Sequence, residues 1–228
     1  MTEQAAKPSN WNLPNALTTL RIVMVPFFGW ALLTQGGADP VWRLVAFGLF
    51  VAAMITDKID GDIARKHNLI TDFGKIADPI ADKAITGMAF IGLAIIHPFL
   101  PAWLWWLITI VVLFREWAVT IARLSIAKHV VMAANASGKL KTVFQTIGLS
   151  GFILPMQALP SGPLHVIGIA LWWVATLCLA IAVVLTVTSG VEFARDATHQ
   201  RREAKQRHAA FEHFEHHGIR RGADHLLV

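Results

Sequence analysis

The stretch AITGMAFIGLAIIHPFLPAWLWWLITIVVLF, residues 84–114, decides the fold class, because it contains no Asp, Glu, Lys or Arg. About 20 apolar residues cross the hydrocarbon core of a bilayer as one helix. The segment HPFLP, residues 97–101, breaks the stretch into two such helices. A second uncharged run, residues 142–191, has room for two more, with PMQALPSGP, residues 155–163, as the turn between them. Composition extends the same reading. The chain has 228 residues, of which 55% are hydrophobic and only 15% charged, where a soluble domain carries about a quarter. The mean hydropathy is +0.52. Disorder and fibrous repeats are excluded, and so is a disulfide scaffold, since Cys178 is the single cysteine. The fold class expected is all-α: a polytopic integral membrane protein with six transmembrane helices, near residues 17–34, 43–63, 79–96, 101–122, 142–158 and 165–189.

The charges orient the chain. Arg65, Lys66, Lys75, Arg123, Lys128, Lys139 and Lys141 fall in the loops after the second and fourth spans, and Arg195 to Arg221 add more in the tail. The opposite loops are nearly free of Lys and Arg, with Arg43 at an edge. The positive-inside rule then places both termini in the cytoplasm. Trp103, Trp105, Trp106, Trp172 and Trp173 lie near span ends, where indoles favour the headgroup layer. The polar start MTEQAAKPSNWNLPN does not read as a signal peptide, though a short interfacial helix around Trp11 and Leu13 is expected. Residues 1–190 form the membrane domain and residues 191–228 a polar cytoplasmic tail. The tail's FEHFEHH reads as a solvated helix near headgroups rather than a metal site. No nucleic-acid partner is expected.

Two spans are impure. The first carries Arg21, and the second ends in TDKIDGDIARK. Carboxylates near a bilayer mark a functional site unless a partner explains them. Asp57 and Asp60, three apart, share a helical face with Gly61, Ala64 and Arg65. Asp78 and Asp82, four apart, share a face of the next helix, and the short turn between lets the pairs meet. Four carboxylates so placed repel one another, and a hard divalent cation resolves the conflict. The absence of Cys and His from the set argues against zinc. Two metals would make a clamp for phosphoryl displacement. An ion or proton pathway stays open at this point, although transport would more naturally use charges at the midplane. Gly61 and Ala64 either admit a ligand close to the backbone or serve helix packing. Arg65 offers a fork of donors suited to phosphate. Asp62 points away, and Asp72 lies in the turn; both read as ordinary solvated residues.

Asp57, Asp60, Gly61, Ala64, Arg65, Gly74, Asp78 and Asp82 together read D-x2-D-G-x2-A-R-x8-G-x3-D-x3-D. This pattern resembles the signature of the CDP-alcohol phosphatidyltransferase family without departure, and NLPNALTTLRIVMVP, residues 12–26, is similar to the family's first span. The resemblance implies transfer of a phosphatidyl group from a CDP-lipid to an alcohol with release of CMP, Mg2+ or Mn2+ in a two-metal site, and a homodimer. It implies Asp57, Asp60, Asp78 and Asp82 as metal ligands and Asp82 also as base. It places Asp60, Gly61, Ala64 and Arg65 against the nucleotide, with Gly74 near the diphosphate. FREWAVTIARLSIA, residues 114–127, and ASGKLKTVFQ, residues 136–145, are similar to phosphatidylglycerophosphate synthases. That similarity implies CDP-diacylglycerol and glycerol 3-phosphate as substrates at the cytoplasmic face of the inner membrane. Arg115, Arg123, Lys139 and Lys141 are the candidates for the acceptor phosphate, with Glu116 orienting one of them. Arg21 contacts either that phosphate or an active-site aspartate, or else snorkels to the interface.

Overall fold

Helix starts in this chain are set by side-chain caps on polar residues that precede the apolar runs. In the computed structural model, the Asn12 side chain accepts from Asn15 N at 2.9 Å and opens α1, Leu13–Leu33. Asp39 accepts from Val41 N at 2.9 Å and Trp42 N at 3.2 Å and opens α2, Pro40–Lys66. Thr71 accepts from Gly74 N at 3.0 Å and opens α3, Asp72–Ile96. Each cap satisfies a backbone donor that has no partner within its helix. Pro14 and Pro40 sit in first turns, where no N–H is required of them. α4, α5 and α6 follow as Ala102–Ile126, Ala136–Ile153 and His165–Glu192. The first three helices therefore begin before the spans expected at 17, 43 and 79, because the caps at Asn12, Asp39 and Thr71, and not hydropathy, set where each helix starts.

The structure describes residues 12–67, 69, 71–98, 100–126, 136–156, 165–192 and 195, without the side chains of 123–126 and 136–139. Among these, every regular element is helical. Five helices, α1 to α4 and α6, are long and apolar enough to cross a membrane. α5 falls outside that set, since it carries Lys139, Lys141 and Gln145. The break expected at 97–101 is present: α3 stops at His97, whose φ is 32° and whose N–H reaches Leu93 O at 2.7 Å. The chain divides into two compact units, Met1–Val187 and Thr188–Val228. The second is described only at residues 188–192, which are helical, and at residue 195. The expected tail helix and the FEHFEHH segment lie outside the described residues, as do Trp11 and the centre of the turn at 155–163.

Within the first unit, α1 packs against both α2 and α3, α3 against α4, and α5 against α2 and α3. The core between them is made by Phe28, Phe50, Phe90, Trp105, Leu149 and Phe152, all buried. Phe28 meets Phe50 with ring centroids 5.7 Å apart, and Trp105 meets Phe152 edge-on at 5.0 Å. Trp105 is thus a core residue whose indole N–H donates to Pro98 O at 3.2 Å, not the headgroup anchor expected from its position near a span end. Trp103, Trp106 and Trp173 do face outward. So do Trp30, Phe114 and Leu177, and this apolar exterior is the surface a multi-pass protein offers to lipid. α5 and α6 approach closely at Gly148, where an added Cβ would stand 2.9 Å from the Leu179 backbone nitrogen.

Arg43 lies at the edge of a span as expected, in the first turn of α2, and it is buried. Its guanidinium donates to Ile153 O at 2.7 Å, to Phe152 O, and to Gly37 O at 3.1 Å. The carbonyls that end α5 lack helical donors, and a cation from α2 supplies them. Arg43→Leu strips several buried acceptors at about 1 kcal/mol or more each. Its thermal midpoint in detergent should fall clearly below that of the unmodified protein; an unchanged midpoint would mean that water replaces the guanidinium at no cost.

Candidate active site

One end of the bundle gathers nearly all of its charged side chains, and five helices contribute. The last turns of α2 carry Asp57 and Asp60, and the first turns of α3 carry Asp78 and Asp82. α1 supplies Asn15, Thr18 and Arg21 from its N-terminal half, α4 supplies Arg115 and Glu116, and α5 supplies Lys141. The four aspartates lie within electrostatic reach of one another: Asp57 feels Asp78 and Asp82, and Asp60 feels Asp57 and Asp78.

Arg21 explains its own presence in an apolar helix. It is completely buried, and its fork spans two carboxylates one helical turn apart. Nη1 donates to Asp57 Oδ1 at 2.5 Å and Nη2 donates to Asp60 Oδ2. The snorkelling alternative is overturned, because the side chain runs inward to α2 and has no exposed surface. Asp60 is buried with it, whereas the Asp57 side chain remains 42% exposed and open to a ligand. Arg21 fits a pair of carboxylates better than a lysine would, since its planar fork reaches both at once.

α1 also holds the other pair. The Thr18 hydroxyl lies 2.5 Å from Asp78 Oδ1 and 3.1 Å from Pro14 O. Asn15 exchanges hydrogen bonds with Thr71, its amide donating to Oγ1 at 2.9 Å, and Asn12 reaches across to Leu69 O at 3.3 Å. These contacts pin the α2–α3 turn against α1. Gly74 sits beneath them: a Cβ there would stand 3.0 Å from Asn15 Oδ1 and 3.3 Å from Thr71 Oγ1. Its lack of a side chain makes room for the polar clamp that fixes the start of α3.

Asp82, one-quarter exposed, faces Lys83, whose Nζ lies 2.9 Å from Oδ2. Lys83 also reaches Glu116 Oε2 at 2.5 Å, while Lys141 donates to Glu116 Oε1 and Arg115 Nη1 stands 3.4 Å from that oxygen. The structure therefore brings Arg115 and Lys141 of the expected acceptor set together around Glu116. The side chains of Arg123 and Lys139 lie outside the described residues. Lys83 was missed by sequence reasoning, although a lysine beside Asp82 at the start of an apolar span was the available signal. Asn15, Thr18 and Thr71 were missed too, since uncharged polar residues in a first turn read as ordinary helix starts.

Arg65 lies on the solvent side of α2. It turns along α2 to Asp62 at 2.7 Å, and both side chains are largely exposed. Asp62 therefore has a specific partner, and Asp72 has one in Lys75 at 3.0 Å. The Arg65 guanidinium passes over Gly61, where a Cβ would meet it at 3.3 Å. Ala64 is half-buried on the same helix.

The donor chemistry of the cluster is all carboxylate oxygen, which suits Mg2+ or Mn2+. Among the described residues, no three acidic, histidine or cysteine side chains converge as they stand to enclose an ion. Asp57 and Asp60 are turned to Arg21, Asp78 to Thr18 and Asp82 to Lys83. The donor set fits a hard cation; its present orientation serves internal partners.

The profile of the CDP-alcohol phosphatidyltransferase family matches residues 11–188, which include all of these side chains. A probable phosphatidylglycerophosphate synthase of Mycobacterium tuberculosis is 43% identical over 182 residues, covering 80% of this chain and 79% of its own. The CDP-diacylglycerol–glycerol-3-phosphate 3-phosphatidyltransferase of Bacillus subtilis is 38% identical over 193 residues, covering 80% and 93%. That of Rickettsia bellii is 34% identical over 186 residues, covering 80% and 93%. With its eight signature residues set on the facing ends of α2 and α3 and its profile match running through the whole bundle, the chain belongs to the CDP-alcohol phosphatidyltransferase family.

Proposed function

We propose that this protein transfers the phosphatidyl group of CDP-diacylglycerol to glycerol 3-phosphate, giving phosphatidylglycerol phosphate and CMP. The observation that carries the reading is the juxtaposition of two unlike clusters at one end of the bundle. Aspartates on α2 and α3 suit a metal-bound diphosphate, and a cationic group on α3, α4 and α5 suits a phosphorylated acceptor. Relatives named for this reaction support it.

Asp57, Asp60, Asp78 and Asp82 would hold Mg2+ or Mn2+, which supplies neutralisation of the diphosphate and of charge developing as CMP departs. Arg21 and Thr18 orient three of these carboxylates. Gly61 and Ala64 leave the α2 backbone approachable for the nucleotide, and Arg65 lies beside them. Lys141 and Arg115, joined by Arg123 and Lys139 from the same helices, receive the acceptor phosphate. Asp82 takes the proton of the acceptor's 1-hydroxyl, whose oxygen attacks the phosphorus next to diacylglycerol and displaces CMP. No covalent enzyme intermediate is needed.

The bundle lies in the inner membrane with α5 as a sixth span. Both termini and the charged end face the cytoplasm, as the loop lysines and arginines favour. The diacylglycerol chains stay in the inner leaflet while the acceptor enters from water. The working unit is a homodimer.

The test is CMP release from CDP-diacylglycerol by the purified protein in detergent, with Mg2+ or with chelator, offering glycerol 3-phosphate, inositol 1-phosphate, inositol, serine and phosphatidylglycerol in turn. Metal-dependent release with glycerol 3-phosphate is expected. Release only with another acceptor would keep the chemistry and change the product. No release with any acceptor, together with divalent-cation flux in liposomes, would favour transport instead.

A further inference from the structure

Glu116 is buried in the middle of α4; the sequence expects it to orient one acceptor-site cation, and the proposed reaction gives it no step of its own. Three cations surround this one carboxylate, and they come from three helices. Lys83 of α3 lies 2.5 Å from Oε2, Lys141 of α5 donates to Oε1, and Arg115 of α4 stands 3.4 Å from Oε1. Lys83 is shared, because the same ammonium lies 2.9 Å from Asp82 Oδ2. The chain of contacts thus runs Asp82, Lys83, Glu116, Lys141, from one cluster of the site to the other.

Stability alone is a poor reason for this arrangement. A buried ion pair is often no better than well-packed apolar residues of similar volume. An apolar residue could not, however, fix two ammonium groups. Lysine is a point charge on a flexible four-carbon stem, and without a partner its head samples many positions. Glu116 presents its two oxygens to two different lysines and so sets where both heads sit. The surplus of cations over carboxylates leaves the group attractive to a phosphate monoester dianion. Lys83, with 19% of its side chain exposed, is within reach of one arriving from solution. An ammonium has three N–H donors, and Asp82 and Glu116 occupy two of them.

We propose that Glu116 is a positioning residue for the transfer reaction. By holding Lys83 against Asp82 and seating Lys141, it keeps the proton-accepting aspartate and the acceptor's phosphate in fixed relation. The inference rests on the functional reading above and adds Lys83 to the groups that meet the acceptor. Orientation of this kind separates rate from mere binding, because a small displacement of a reacting group is costly in turnover.

The experiment compares steady-state kinetics of the full-length protein in detergent with those of Glu116→Gln, Glu116→Asp, Lys83→Gln and the Glu116→Gln/Lys83→Gln double variant, normalised to folded protein. In Glu116→Gln one oxygen becomes an NH2 that repels an ammonium. The KM for glycerol 3-phosphate should rise about tenfold and kcat should fall about tenfold, with the KM for CDP-diacylglycerol within about twofold of the original. Glu116→Asp, which keeps the charge, should fall between. In the double variant kcat should be no lower than in Lys83→Gln, since Glu116 acts on Asp82 through that lysine.

Three results would overturn the proposal. Unchanged kcat and KM values, whatever happens to the melting temperature, would make Glu116 purely structural. A lower KM for glycerol 3-phosphate would make it a competitor of the phosphate. Additive losses of kcat in the double variant would mean that it does not act through Lys83. Should Glu116→Gln not fold, the KM split in Glu116→Asp decides, and an equal rise in both KM values would sink the idea. If the unmodified protein uses a different acceptor, the reading of the acceptor fails on its own. The coupling of Glu116 with Lys83 is then measured with the acceptor that works.

Discussion

Asp82→Asn should lower turnover by at least about a hundredfold, the usual scale for removing a general base, while the protein stays folded. The substitution keeps the shape of the side chain. The site tolerates it because Asp82 is one-quarter exposed and its backbone carbonyl still accepts from Thr86 at 2.8 Å. Three things are lost: the ability to accept the acceptor's proton, one of the four carboxylates proposed to hold the metal, and the negative charge that Lys83 faces. An amide turned toward an ammonium also repels it where its NH2 points inward, so Lys83 shifts as well. The loss should therefore fall mainly on kcat, with the KM for CDP-diacylglycerol much less affected. CMP release, measured on protein that elutes as a single folded species, checks this. Near-normal turnover would remove Asp82 from the role of base.

The second large effect is expected at Arg21. Arg21→Met keeps much of the buried volume and withdraws the only cation that pairs with Asp60 among the described residues. Breaking a buried pair by removing one partner typically costs about 3–5 kcal/mol, because the other charge is left behind. The thermal midpoint in detergent without divalent metal should drop by many degrees. Added Mg2+ should recover part of the drop, since a cation that binds only the folded protein stabilises it by mass action. Arg21→Lys should recover little, as one ammonium cannot bridge Asp57 and Asp60 in the manner of the fork. A midpoint in Arg21→Met equal to that of the unmodified protein would show that the pair carries no structural weight. Recovery by Mg2+ that is no greater than in the unmodified protein would show that the aspartates are not where the cation acts.

The bundle and its acidic cluster were legible in the sequence for different reasons. The spans at 84–114 and 165–189 needed only the absence of charge, which no tertiary contact can disguise, whereas the one expected at 142–158 falls on α5, which is not apolar enough to count as a crossing helix. The aspartates needed only helical spacing, because Asp57 with Asp60 and Asp78 with Asp82 are neighbours within single helices. Partners between helices were another matter. Whether Arg21 meets an aspartate or the interface depends on the register of α1 against α2, and periodicity within one helix carries no register between two. The same holds for Lys83, whose meaning comes from Glu116 on another helix, and for Arg43, which serves the end of α5. Trp105 was misplaced because proximity to a span end says nothing of the direction in which a ring points. Spacing places Arg65 on the same face as Asp57 and Gly61, but it does not show that this long, exposed side chain also pairs along the helix with Asp62.

α1 reaches the two aspartate pairs through different side chains, Arg21 toward α2 and Thr18 toward α3. One residue of helix advances by about 1.5 Å, and a hydrogen bond that lengthens by so much is no longer one. α1 therefore cannot slide along its axis to suit a thicker or thinner bilayer without letting go of both pairs together. Mismatch between the protein's apolar height and the surrounding lipid has to be absorbed by tilt of the whole bundle or by the lipid itself. The height of the aspartate cluster along the bundle is thus set by the protein's own bonds, and its membrane must adapt to it.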